Sequence, residues 1–594
     1  MRGLRSVVWL LGLVAPGCAQ LIPSGTAIPH TTLPPVVFID GFQLNCPATF
    51  QGTFGIADQV LQNNGEVSLF FSVCNSPTTA SIEDLAAAFT TFLSGLMYTD
   101  GQPVDQVDIV AHSMGGLVLR CYLSGKQNTA GTFQPPAATH VRKAVLLATP
   151  HFGTGIASLL SATNQLQEMS SGSVFLFGLD TWNDGTDDLR GVDAVAAAGN
   201  AGSGGMGNPS AFDDGVVALT SASLRFYLPG RTRVIPYCHI DGGGIISLFD
   251  LCPGSAKGIA NIDSATHNSA QIITSFFGGT NDWQSVGTAA ENDKFLSVDG
   301  GVIIAAQAAD GSSLNIDAVT AGSHTLGTSS DHLPYSDLIP AGVVPLKVTS
   351  GSLNIDESVT LPAGGTEPYT VKPGPLIARV FPAAAANFPL VLAPRMFIAI
   401  YGADLADKTA QASGATFPVQ LADAQVLANS AAIPLYYVSA NQIDAVLPDS
   451  LSGLTSLAVQ NSAGKHTVNI FVEAAAPALF TQDSSGSGPA AALKATDQSL
   501  VTADNPLHAG DFVELYATGL GLTAPKDGLD YAVQQPTVTV GGVNCPVNFA
   551  GAAPGYIGLD QINCMIPADT SNVSAPVVIT SGDRISNTAT LAVQ

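Results

Sequence analysis

A serine, an aspartate and a histidine, in that chain order, are the residues of this sequence best suited to act together. Ser113 stands in Ala111-His112-Ser113-Met114-Gly115, Asp214 in Phe212-Asp213-Asp214-Gly215-Val216, and His267 in Ala265-Thr266-His267-Asn268. A hydroxyl is a poor nucleophile until an imidazole takes its proton and a carboxylate orients that imidazole. The chemistry such a trio performs is acyl transfer, with the negative charge that develops on the substrate oxygen held by backbone N–H groups. The donors expected here are the N–H of Met114 and that of Phe42. Asp213 is the close rival for the acid. Among other histidines, His239 reads as the end of a strand, and His112 and His151 flank the nucleophile.

The serine needs an element that lifts it clear of the chain around it. Residues Val104 to Ala111 alternate and then run apolar, which reads as a strand entering a buried sheet. Leu117 to Leu123 is a helical run closed by Gly125. Ala111 and Gly115, small residues two positions either side of Ser113, permit a tight strand-to-helix turn with the hydroxyl beside a helix N-terminus. The usual pattern is G-x-S-x-G; Ala111 replaces its first glycine.

Other elements follow the same plan. Strands are expected at Val36–Ile39, Val67–Val73, Val141–Ala148, Val192–Ala198 and Arg233–Ile240. A helix is expected from Ser81 to Met97, opened by a Ser81/Asp84 capping box, and a last one from Ser269 to Phe277. Strands alternating with helices imply a mostly parallel sheet covered on both faces, an α/β unit over residues 34–285. An apolar insertion over residues 153–190 (Ile156, Leu159, Leu160, Phe175, Leu176, Phe177) interrupts it where loops gather over the nucleophile, and reads as a cap.

A chain of 594 residues holds several domains. With 46 Asp and Glu against 21 Lys and Arg, the formal net charge of −25 excludes nucleic acid as a partner and excludes charge-driven binding to anionic membranes. Residues 1–19 read as a secretory signal, with Arg2 and Arg5, an apolar run, and Gly17-Cys18-Ala19 before the expected cleavage. No later run is apolar and long enough to span a bilayer. Export permits disulfides. Nearest-neighbour pairing of the remaining cysteines gives Cys46–Cys74, Cys238–Cys252 and Cys545–Cys564, leaving Cys121 free inside the nucleophile helix; sequence alone does not fix connectivity.

Beyond Trp283 helical periodicity gives way to short Val/Ile/Thr strands broken by Gly, Asn, Asp and Ser. Phe397–Tyr401 echoes Phe512–Tyr516, and Asn441–Pro448 echoes Asp560–Pro567. The chain therefore ends in two copies of one all-β sandwich, over residues 373–476 and 477–594. Residues 286–372 form a further β-rich region of unspecified fold. Ile433 and Ala445 of the first copy match Cys545 and Cys564 of the second, so both members change together, as a bonded pair would.

Ala-His-Ser-Met-Gly-Gly, Ala-Thr-Pro-His-Phe-Gly-Thr and Asp-Gly-Val-Val-Ala-Leu-Thr-Ser-Ala resemble bacterial triacylglycerol lipases and esterases of the α/β-hydrolase fold, over residues 34–285. The resemblance implies hydrolysis of carboxylic esters, lipid or smaller, through an acyl-enzyme and without a cofactor or catalytic metal. Such enzymes usually open the oxyanion loop with His-Gly, where this chain has Asp40-Gly41. Some relatives bind a structural calcium; the clustered Asp184, Asp187, Asp188 and Asp193 read instead as a solvated turn. The tandem copies resemble the Ig-like, TIG-type domains on secreted proteins of Acidobacteria, which implies location and possible contact with a cell surface or insoluble substrate.

The leading expectation is thus a secreted lipase or esterase, with acyl-chain length open. The alternative is a surface adhesion or carbohydrate-binding protein carrying a non-catalytic hydrolase-like unit. Because every proposed site residue precedes Trp283, a chain ended near residue 285 is expected to keep activity on a soluble ester.

Overall fold

The structure, a computed structural model, describes residues 22, 26–43, 46, 48–160, 163–183, 189–202, 213–226, 228–241, 252–293, 298–327, 332–351, 353–385, 391–414, 416–568, 570 and 572–594. The expected signal segment, Phe212, Asp184, Asp187 and Asp188 lie outside them.

Seven strands form the N-terminal sheet: β1 (Val36–Ile39), β2 (Ser68–Phe71), β3 (Val107–His112), β4 (Val141–Leu147), β5 (Asp193–Gly199), β6 (Thr232–Ile235) and β7 (Thr288–Ala289). Their order is β2-β1-β3-β4-β5-β6-β7, parallel except for β7, which pairs antiparallel with β6. The strands are apolar on both faces, as a sheet covered on both sides requires. Val37, Ile39, Ile109, Ala111, Leu146 and Ala196 pack with the helices Ile82–Ser94 and Met114–Ser124 on one face. Val36, Phe38, Val110, Val145, Leu147 and Val195 pack with the helices Ala57–Asn63 and Asn268–Phe277 on the other. This is an α/β unit followed by mostly antiparallel β sheets, the fold class expected. The Ser81/Asp84 box is formed in both directions, and Gly125 closes the helix after Ser113 in the left-handed region at φ 62°.

One boundary shift matters. The strand expected to run to Ile240 ends at Ile235, because Pro236 follows and has no N–H to continue the ladder. Residues 236–241 become a loop at the carboxyl edge of the sheet, fastened by the Cys238–Cys252 disulfide.

The segment expected as a cap, residues 153–190, is tied to the sheet and its helices by polar contacts. Glu168 accepts the N–H of Ile82 at 2.8 Å, and Gln165 donates to the Ala80 carbonyl at 3.0 Å. Leu176 is fully buried among body residues, whereas Val174 is exposed.

Residues 298–371 fold as two facing sheets with their own core, including Val302, Ile304, Leu346 and Val359. The intervening Ile303 points the other way, into the core beneath the cap. The same region bonds the cap through Leu333 N–H to the Gly172 carbonyl at 2.7 Å, and Thr366 donates to the Thr220 carbonyl at 3.3 Å. This β region and β7 both lie beyond the boundary expected at 285, and both are built into the N-terminal unit.

The two C-terminal copies share one register. Phe397 pairs with Val446 as Phe512 pairs with Met565, and Ala428 with Ala431 as Val540 with Val543. Ile433 and Ala445 therefore occupy the places of Cys545 and Cys564, which are bonded. Cys46–Cys74 is bonded too, and Cys121 is free and buried. Breaking the bond by Cys564→Ala alone is expected to cost about 3 kcal/mol, the chain-entropy value for a loop of this length. Cys545→Ile with Cys564→Ala, which restores the first copy's apolar pair, should recover part of that. Thermal unfolding of the two variants checks this, and equal losses would count against the argument.

A single carboxylate joins three units. Glu473, in the linker between the copies, is bonded by Arg584 of the second copy at 2.6 and 2.8 Å and lies 3.4 Å from Arg190 of the N-terminal unit. Arg584 also donates to the Arg190 carbonyl at 3.0 Å, and the Arg190 guanidinium lies over the Phe471 ring at 4.0 Å.

Candidate active site

Ser113 takes a backbone conformation that L-residues rarely adopt, φ 56° and ψ −128°, at the junction of β3 and the helix Met114–Ser124. The strain is held from several sides. Its N–H bonds the Leu147 carbonyl of β4 at 2.9 Å. A Cβ on Gly115 would stand 2.6 Å from the Ile39 carbonyl oxygen, so the fifth motif position admits only glycine. Ala111 sits inside β3 between Ile39 and Leu146, where a methyl is accommodated.

The imidazole at this serine is His239, not His267. His239 Nε2 lies 2.8 Å from Ser113 Oγ, and His239 Nδ1 lies 2.7 Å from Asp214 Oδ2. A neutral imidazole between these groups carries its proton on Nδ1, donates it to the carboxylate and accepts from the serine hydroxyl. All three residues are buried. The other Asp214 oxygen accepts the N–H groups of Val216 and Val217 at 2.9 and 2.7 Å, and the Asp214 carbonyl accepts the His239 N–H at 2.7 Å. The aspartate thus fixes both the ring and the backbone of the histidine. Asp213 faces away and accepts the Gly215 N–H at 2.9 Å.

His267 does a different job. It is the N-cap of the helix Asn268–Phe277, where Nδ1 accepts the Ser269 N–H at 3.3 Å, and its ring stacks on Tyr237 at 4.1 Å. Two features of the chain marked His239 instead: Pro236, which ends the strand three residues before it, and Cys238, which ties down the loop.

The flanking histidines are also placed. His112 donates through Nε2 to the His239 carbonyl at 3.1 Å; burial holds its pKa near 3, so it stays uncharged. His151 accepts from Arg120 at 3.2 Å in a buried cluster with Asp180, which Arg120 bonds at 2.6 Å. Burial and the neighbouring guanidinium keep His151 neutral as well.

The loop after β1 runs alongside the nucleophile. A Cβ on Gly41 would lie 2.6 Å from Ser113 Cβ and 3.2 Å from its Oγ, so only a glycine lets the backbone carrying Phe42 come this close. Met114 is the first residue of the helix that follows Ser113. A cavity of about 310 Å³ opens next to the Asp214 turn, lined by Thr154, Ile156, Asp213 and Val216 and, from the β region, by Tyr335, Asp337 and Leu338. Among the described residues no three His, Cys, Asp or Glu are gathered as a metal site, and Asp193 pairs with Arg231 at 2.9 Å. No described helix is long and apolar enough to cross a membrane.

No family model matches the chain, and no curated protein matches it. Among solved structures, part of the chain is similar to phospholipase PlaB from Legionella pneumophila, at 14% identity over 57% of this chain and 93% of that one, with a TM-score of 0.43. Lipase BlEst2 from Bacillus licheniformis, in its mature form, is similar at 18% identity over 36% of this chain and 87% of that one, with a TM-score of 0.27. Its propeptide form gives 13% identity over 74% and 94%, with a TM-score of 0.30.

Proposed function

We propose that the chain is an exported serine hydrolase of carboxylic esters, a lipase or carboxylesterase. The observation that carries this reading is the Ser113–His239–Asp214 relay, at 2.8 and 2.7 Å, on a strained strand-to-helix turn. In it, His239 takes the hydroxyl proton as Ser113 attacks the ester carbonyl. Asp214 stabilises the imidazolium that forms. The N–H groups of Met114 and Phe42 bind the oxyanion of the tetrahedral intermediate. His239 then protonates the leaving alcohol, leaving an acyl-enzyme that water cleaves by the same steps in reverse. The three disulfides among the described residues fit an oxidising compartment.

A fluorophosphonate probe should label the protein at Ser113, and Ser113→Ala should lose both labelling and ester turnover while keeping the fold. Labelling that survives the substitution would place the nucleophile elsewhere. Rates on p-nitrophenyl esters from acetate to palmitate then separate a lipase from a short-chain esterase.

A further inference from the structure

Asp40 stands where the resembling enzymes carry histidine, and the structure gives it a partner set of its own. Its carboxylate is fully buried at the end of β1. Burial raises its pKa to about 6, and the bonds it accepts pull the other way. Such a group is costly unless hydrogen-bonded. Oδ1 accepts the Val73 N–H at 2.8 Å and Oδ2 accepts the Ser72 hydroxyl at 3.0 Å, both on the segment leaving β2. The same segment carries Cys74, bonded to Cys46. Asp40, which Gly41 and Phe42 follow, and Cys46 further along are therefore each fastened to residues 72–74. On its inner side there is no slack: the Asp40 carbonyl lies against Gly115, where an added Cβ would stand 2.7 Å away, and Gly41 lies against Ser113.

Building on the proposed hydrolase activity, we propose that Asp40 is a positioning residue that holds the Phe42 N–H at the distance from Ser113 that the oxyanion requires. It touches no reacting atom. Its two bonds fix the loop's start, the disulfide fixes its end, and the donor between them is aimed by both. An alanine at 40 removes the first clamp and leaves the Val73 N–H without its acceptor. An asparagine keeps both bonds, since its oxygen accepts from Val73 and its amide donates to the Ser72 oxygen.

The test compares wild type, Asp40→Ala, Asp40→Asn and Ser72→Ala on p-nitrophenyl butyrate, with an alkylboronic acid as the tetrahedral mimic. Misplacing a donor by about 1 Å predicts that Asp40→Ala loses kcat about 10²-fold with KM nearly unchanged. Boronate affinity should fall in step, and Asp40→Asn should regain most of the loss. A folded Asp40→Ala with wild-type kcat, a loss confined to KM, or an asparagine no better than alanine would each overturn the proposal. Should Asp40→Ala fail to fold, Ser72→Ala decides: it removes the hydroxyl's bond to Asp40 and its acceptance of the Cys74 N–H but leaves the Val73 bond to Asp40 in place, so a several-fold fall in kcat is expected and an unchanged kcat overturns it. Turnover that persists in Ser113→Ala, run alongside, would sink the hydrolase reading itself rather than the clamp.

Discussion

Replacing His239 by alanine should lower kcat on the order of 10⁶-fold, the cost of removing the general base from a triad that acts as a unit. Asp214→Asn should cost about 10⁴-fold, because the ring it orients then adopts the wrong tautomer. His267→Ala should leave turnover nearly intact and cost about 1 kcal/mol of stability, the usual value of a helix cap. Asp213→Asn belongs with His267→Ala, since Asp213 bonds the Gly215 N–H and not the imidazole. Rates on a soluble ester, with thermal unfolding measured in parallel, separate the two groups. A His267 variant that is folded and inactive would reverse the assignment of the base.

The second large effect concerns the length of the N-terminal unit. Ending the chain at 285 removes β7 from the edge of the sheet, the buried Ile303 from the core beneath the cap, and the Leu333 bond to Gly172. Burying one isoleucine is worth about 2–3 kcal/mol, and a whole domain is stable by only about 5–15 kcal/mol. Such a chain should be unfolded or aggregated. A chain ended at 374 keeps these contacts and should fold with a smaller loss of stability. It should also retain the wall that Tyr335, Asp337 and Leu338 give the cavity. Circular dichroism and ester turnover of the two truncations provide the check. A chain ended at 285 that melts and turns over like the full protein would show that the β region is dispensable.

The parts of this molecule legible in the sequence were those with a local signature. The β3–Ser113–helix turn could be read because small residues at fixed offsets are a steric demand of the turn itself. The capping box at Ser81 and the Gly125 stop are equally local. The shared register of the C-terminal copies showed through repetition, which also picked out Cys545 and Cys564 together. His239 was missed because the run Arg233–Ile240 looks like a continuous strand unless Pro236 is given its full weight as a terminator. Its meeting with Ser113 spans 126 residues of chain, and no periodicity reports a contact of that range. The β region was opaque for a related reason. Val302-Ile303-Ile304 is apolar throughout because it serves two cores, its own and the cap's, so the alternation that marks a half-exposed strand is absent.

The Arg190–Glu473–Arg584 cluster has a consequence for the order in which this chain assembles. Arg190 and Arg584 are 394 residues apart, so their meeting depends on the most distant parts of the polypeptide having already taken shape. Loop-closure entropy favours near contacts before far ones. The N-terminal unit and both sandwiches can each bury their own cores before this contact forms. On that order the two guanidiniums reach Glu473 last. Once they arrive, the linker is closed and the three units are locked into one arrangement.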